Sequence, residues 1–141
     1  MFTSITKIRV RYGETDQMGY LYYGNYALYY EVGRTDAIRN LGLTYREMEE
    51  MGIMMPVAEM NVKYIRPAFY DDLITVKTIL KAMPDSHKIV FHSELYNEKE
   101  ELLNVGTVTL AFIDAQTKRR SSMPEEMKEK FMPFFREDKD E

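Results

Sequence analysis

The sequence predicts an α+β domain in which one antiparallel sheet has one face covered by a single long helix. Three observations carry this. Apolar residues recur at helical spacing over residues 23–41. The runs before and after that stretch alternate with the period of a strand. The turns between the later runs are too short for crossovers, so their pairing is antiparallel. A sheet with one apolar face then needs the helix as its second layer. At 141 residues one domain is expected, burying roughly 68–70% of the unfolded surface.

Residues 6–12 alternate, with Ile8, Val10 and Tyr12 on one side and Lys7, Arg9 and Arg11 on the other, which predicts a half-buried strand. Residues 13–19 are polar, end in glycine and read as a loop. From Tyr23 the period changes: Tyr23, Tyr26, Ala27, Tyr30, Arg34, Ala37, Ile38 and Leu41 share a helical face, and Gly42 closes the helix. Gly24 and Gly33 lie inside it, each costing up to about 1 kcal/mol relative to alanine. Close packing on the sheet explains Gly33; Gly24 fits packing or backbone approach by a ligand equally well. Thr44, with Glu47 three positions on, opens a short helix through a capping box, and Gly52 ends it. Strands follow at residues 57–65, 73–81, 89–96 and 103–113. Turns at Pro84-Asp85-Ser86 and residues 97–101 separate the last three. Ile74, Val76, Thr78 and Leu80 share one strand face; Gly106, Val108, Leu110 and Phe112 share another. Pro124 opens a last helix with Glu125 and Glu126 in its first turn, expected to end before Pro133. Residues 136–141 are expected to fray.

The net charge of −4 and pI near 5.3 argue against nucleic-acid binding, which needs a basic surface. Cysteine is absent, which removes disulfides, thiolate nucleophiles and zinc thiolates. The first residues lack an apolar signal core, and no apolar run approaches the roughly 20 residues of a membrane span. A cytoplasmic location is expected. The 11 Met and 11 Tyr fit an aromatic core, an adaptable ligand pocket or an interface between copies.

There is no nucleophile-elbow motif and no phosphate loop or dinucleotide fingerprint. His87 and His92 fall on opposite faces of a strand and make no metal pair. The densest cluster is YGETDQMGYLYYGNY, residues 12–26, which joins the first strand to the start of the long helix. A helix start carries unpaired N–H groups and a partial positive charge. An acid facing it, Asp16, gives the elements of acyl transfer: one group attacks or activates water while N–H groups polarise the carbonyl. Equally, Glu14 or Asp16 could simply cap the helix or tie the loop.

This stretch resembles the signature of the 4-hydroxybenzoyl-CoA thioesterase family, which includes the Tol-Pal-associated acyl-CoA thioesterases. That signature reads Y-x-D-T-D-x-x-G-x-x-Y-[HY]-x-x-Y, and the chain matches it at Tyr12, Thr15, Asp16, Gly19, Tyr22, Tyr23 and Tyr26. Glu31, Arg34, Pro56-Val57, Tyr64-Ile65-Arg66-Pro67-Ala68 and Tyr70-Asp71-Asp72 extend the match. The resemblance implies a hot-dog fold, an antiparallel sheet wrapped around one long central helix. It implies hydrolysis of an acyl-coenzyme A to free acid and coenzyme A, with Asp16 as nucleophile or general base. The backbone N–H of Tyr23 would hold the oxyanion. Tyr22, Gly24, Lys63, Arg66 and Arg119 are the substrate-binding candidates, the cations for the phosphates of coenzyme A. It implies no cofactor and no metal, and a homodimer at minimum, paired into a homotetramer. The chain departs from the signature at Glu14, where the family has aspartate, and at Tyr23, where many relatives have histidine. The alternatives are a hot-dog dehydratase or aromatase, which would use histidine beside an acid, and a non-catalytic acyl-CoA or lipid binder.

Overall fold

The computed structural model describes residues 1–135 except Ser86; the end of the turn at Ser86 and the expected fraying of residues 136–141 lie outside the described residues. Strand β1 is Phe2–Arg9. It starts earlier than the alternation suggested, because it pairs along its whole length with β4, Leu73–Leu80. It also stops earlier. Tyr12–Glu14 winds into a single 3-10 turn, which leaves the Tyr12 side chain exposed rather than on the inner face. The inward positions of β1 include Ser4 and Thr6, and these meet polar partners. Thr6 donates to Asp36 at 2.8 Å, and Asn40 donates to Ser4 at 2.8 Å.

The long helix runs as expected, with its first turn tightened: Tyr23–Asn25 is 3-10 and leads directly into α1, Tyr26–Asn40. Tyr26, Tyr29, Tyr30, Gly33, Arg34, Ala37 and Ile38 are buried. Tyr23 lies outside this face and is exposed, because the 3-10 turn rotates it away. The helix lies over β1, β4 and β5, which is Lys88–Tyr96. At Gly33 an added Cβ would sit 2.4 Å from Thr78 Oγ1 and 2.8 Å from Val76 Cγ1. Gly106 admits the Tyr30 ring in the same way, 2.6 Å from where its Cβ would be. Beyond that contact the Tyr30 hydroxyl donates to Asn104 Oδ1 in the core.

Helix α2, Tyr45–Glu50, is capped by Thr44 Oγ1, which accepts from the Glu47 N–H at 3.1 Å. Strand β2, Ile53–Met54, was not anticipated; it pairs with β7, Ile113–Asp114. The expected strand 103–113 therefore divides into β6, Leu102–Ala111, and β7. Between them Phe112 turns wholly into the core. Helix α3, Glu125–Phe135, continues through Pro133 instead of ending before it. Met127, Phe131 and Phe135 are buried at four-residue spacing. Pro133 lies on the exposed side, where water can satisfy the carbonyl that loses its donor.

The five-stranded sheet has the order β1-β4-β5-β6-β3, every pair antiparallel, with β3 spanning Val57–Tyr64. With the long helix packed on its concave face this is the hot-dog architecture. The sheet ends on β3, whose outer edge has no partner strand among the described residues.

Helix propensity alone would make Gly33→Ala stabilising by up to about 1 kcal/mol. The Thr78 and Val76 contacts reverse the sign, since overpacking costs typically 1–3 kcal/mol. Urea denaturation should show Gly33→Ala less stable than the parent. An equal or greater stability would mean that the seat of α1 on β4 is not tight.

Candidate functional site

The loop between β1 and the helix is organised by Glu14. Its carboxylate accepts from the Arg11 N–H at 2.9 Å and from the Tyr29 hydroxyl at 2.8 Å, and pairs with the Arg11 guanidinium at 3.3 Å. Its carbonyl accepts from Tyr22 N–H and from Asn25 Nδ2, both at 2.9 Å. The signature's first acid is thus a tether that fixes where the helix begins. The longer reach of glutamate over aspartate is used to meet Tyr29 inside the domain.

Asp16 serves the loop with one oxygen only. Oδ1 accepts from the Met18 N–H at 2.9 Å and the Tyr20 N–H at 3.2 Å. Among the described residues, no hydrogen bond reaches Oδ2. An antiparallel bridge between Thr15 and Leu21 closes the loop, and Gly19, at φ +77°, makes its turn. The half-buried Asp16 lies on the wall of a cavity of about 360 Å³. Tyr23, Tyr26, Tyr64, Ile65 and Arg66 line the same cavity.

The structure therefore brings Asp16, Tyr23 and Arg66 together. Tyr22 N–H is already spent on Glu14, whereas among the described residues nothing accepts the N–H of Tyr23. That N–H stands in the first turn of the helix, where backbone donors point outward. Tyr22 and Gly24 border the site without lining it. The Tyr22 ring lies against Tyr23, with centroids 4.6 Å apart. It occupies the space that a Cβ on Gly24 would need, 2.7 Å away. Packing thus accounts for Gly24.

Lys63 falls elsewhere, in a cavity on the sheet's outer face that also holds His92. Arg119 is exposed beside the β2–β7 pair. Arg66 pairs with Glu101 at 3.5 Å and remains largely exposed. Tyr64 was matched in the signature but not assigned to the site. Its hydroxyl donates to the Tyr23 carbonyl at 3.1 Å, and its ring meets Tyr23 and Tyr26 edge-on. Only the fold reveals this, because β3 must reach the sheet edge before Tyr64 meets the helix start. A carboxylate oxygen with free lone pairs, a helix-start N–H and an apolar wall can together bind a carbonyl, polarise it and deliver a nucleophile to it.

The model of the thioesterase-like superfamily matches residues 10–131. The chain is 37% identical over 117 residues to YneP of Bacillus subtilis (strain 168), covering 83% of this chain and 84% of that one. It is 27% identical over 124 residues to the acyl-CoA thioester hydrolase YbgC of Escherichia coli O6:H1, covering 88% and 92%. The structure of a DHNA-CoA thioesterase from Staphylococcus aureus superposes with a TM-score of 0.82 at 36% identity, over 99% of this chain and 88% of that chain.

The Glu14 carboxyl is held below its ordinary value of 4.5. Burial pushes the other way, but bonds from the Arg11 N–H, the Tyr29 hydroxyl and the Arg11 guanidinium outweigh it. A carboxyl depressed in the folded state contributes stability above its unfolded value, lost as pH falls through the folded one. The stability difference between the parent and Glu14→Gln should therefore be largest near neutrality and narrow below about pH 4.5. Urea titrations between pH 7 and pH 3 measure it; a difference independent of pH would contradict the tether.

Proposed function

The chain belongs to the thioesterase-like superfamily, and from that membership we propose that it hydrolyses the thioester of an acyl-coenzyme A to free acid and coenzyme A. The observation that carries this reading is the shared cavity: Asp16 on one wall, the helix start at Tyr23 on another. The Tyr23 N–H donates to the thioester oxygen, and a backbone donor of this kind is worth about 2.7–4 kcal/mol in the transition state. Asp16 Oδ2 attacks the carbonyl carbon or draws a proton from a water that does. Either way a C–O bond forms, the C–S bond breaks, and the thiolate of coenzyme A leaves and takes up a proton; where Asp16 itself attacks, water then cleaves the resulting acyl-aspartate anhydride, which releases the free acid and restores the carboxylate. So good a leaving group makes cofactor or metal unnecessary, and we propose none.

Arg66, at the wall of the same cavity, is the cation best placed for the phosphates of coenzyme A; Lys63 and Arg119 stand apart from it. The dehydratase or aromatase reading needs histidine beside the acid, and among the residues lining this cavity there is none. A non-catalytic binder would leave the free oxygen of Asp16 without a use. No described helix is long and apolar enough to cross a membrane, and we place the reaction in the cytoplasm.

We further propose that the working unit is a homodimer joined along the free edge of β3. Val57, Met60, Tyr64 and Ile65 there, with Leu28 and Val32 on α1, are each more than two-fifths exposed. Together they form an apolar surface of the kind that a second copy covers. A pair of such dimers would make the homotetramer.

Asp16→Asn separates the two uses of this side chain. Asparagine keeps an Oδ1 to accept from Met18 and Tyr20, so the loop should hold, while turnover should fall by on the order of 10²-fold or more. Thiol release from a panel of acyl-CoAs reads the activity, and near-ultraviolet circular dichroism reads the fold. A folded Asp16→Asn protein with full turnover would remove Asp16 from the mechanism. Tyr23→Phe, which keeps the backbone N–H, should cost far less. Sedimentation at micromolar concentration should give a dimer or larger, and a monomer there would contradict the β3 interface.

A further inference from the structure

The donor assigned to the thioester oxygen stands where a helix is weakest. Tyr23 is the first residue of the 3-10 turn that opens the long helix, and helix ends fray. Its side chain is 64% exposed, so burial does little to hold its backbone. A donor stabilises a transition state only when its direction is set beforehand, and a misplacement of about 1 Å can cost about 10²-fold in rate. The backbone of Tyr23 must therefore be held through its peptide groups.

Contacts on both sides of its Cα do this. On one side the Tyr22 carbonyl accepts from the Asn25 N–H at 2.9 Å. That carbonyl shares a planar peptide with the Tyr23 N–H. On the other side the Tyr23 carbonyl accepts from the Tyr64 hydroxyl at 3.1 Å. Among the described residues no other side chain hydrogen-bonds to the Tyr23 backbone. Tyr64 is itself braced. Its backbone stands in the sheet, paired with Asn104 of β6. Its ring meets the ring of Tyr26 edge-on, with centroids 5.3 Å apart, and Tyr26 is buried. The hydroxyl thus ties the open end of the helix to the sheet.

We propose that Tyr64 is a positioning residue for thioester hydrolysis: its hydroxyl holds the Tyr23 carbonyl and, through that backbone, the direction of the Tyr23 N–H. The proton of Tyr64 is spent on the carbonyl, so the residue acts through Tyr23 and not on the substrate. This rests on the thioesterase reading.

Tyr64→Phe keeps the ring, and with it the cavity wall and the apolar surface of β3, and removes the hydroxyl alone. In acyl-CoA hydrolysis its kcat should fall at least about tenfold while KM changes by less than about threefold, the pattern of an interaction made in the transition state. A second readout needs no turnover. A ketone analogue of the acyl-CoA, with a methylene in place of the sulfur, keeps the carbonyl and cannot be hydrolysed. Its carbonyl stretch, read by infrared spectroscopy in the bound state, should lie at higher frequency in Tyr64→Phe than in the parent, because a misdirected donor weakens the hydrogen bond. A role confined to stability would lower the urea midpoint and leave that frequency in place. Either an unchanged kcat or an unshifted stretch in the folded variant would overturn the proposal. Should the parent hydrolyse no thioester, the thioesterase reading fails by itself, and the stretch alone decides: a shift supports the hold of Tyr64 on the Tyr23 backbone, and no shift overturns it. A parent that does not bind the ketone overturns both.

Discussion

Helix α1 sits so close to the sheet that two positions facing the contact admit no side chain. Gly33 on the helix meets Val76 and Thr78, and Gly106 on β6 meets the ring of Tyr30. That approach sets the height of the helix, and the hydrogen bond from Tyr30 to Asn104 fixes its rotation from inside the core. Polar links from β1, Thr6 to Asp36 and Ser4 to Asn40, hold its far half. With height and rotation fixed, the place where the helix starts is fixed too, and the direction of its free N–H groups follows. The site is the front end of a packing problem solved further back.

The Glu14 tether completes this arrangement from the loop side. By binding Tyr29 through its carboxylate and Tyr22 and Asn25 through its carbonyl, it joins the loop to the helix. The Tyr22 N–H is consumed in the process, so the donor left over belongs to Tyr23. Asp16 is held by one oxygen alone. The division of work between two acids two residues apart thus comes from geometry: one faces inward to a tyrosine and the other faces a cavity.

Much of this was legible in the sequence. The period of residues 23–41 predicted the helix, and the alternations predicted the four principal later strands, because each pattern reports which side chains meet a core. Asp16 and Tyr23 were legible through the signature and their place before a helix. Other features depend on distant partners. Strand β2 exists only because β7 comes to meet it, and two residues carry no period. The run of α3 through Pro133 depends on Phe131 and Phe135 both finding the core, a tertiary gain that outweighs a local rule. The role of Tyr64 needed the sheet order, and the separation of Lys63 from Asp16 needed to know which face of β3 each position takes.

The order of strands also shapes how the chain is made. Strand β3 has β6 as its partner, and β6 is not complete until residue 111 has been synthesised. At about 5–20 residues per second, β3 waits on the order of seconds with both edges unpaired. Unpaired edges are templates for pairing with foreign chains, and charged residues along a strand discourage that. Glu59 and Lys63 stand in β3, so the strand carries its own guard through the interval before β6 is there to cover it.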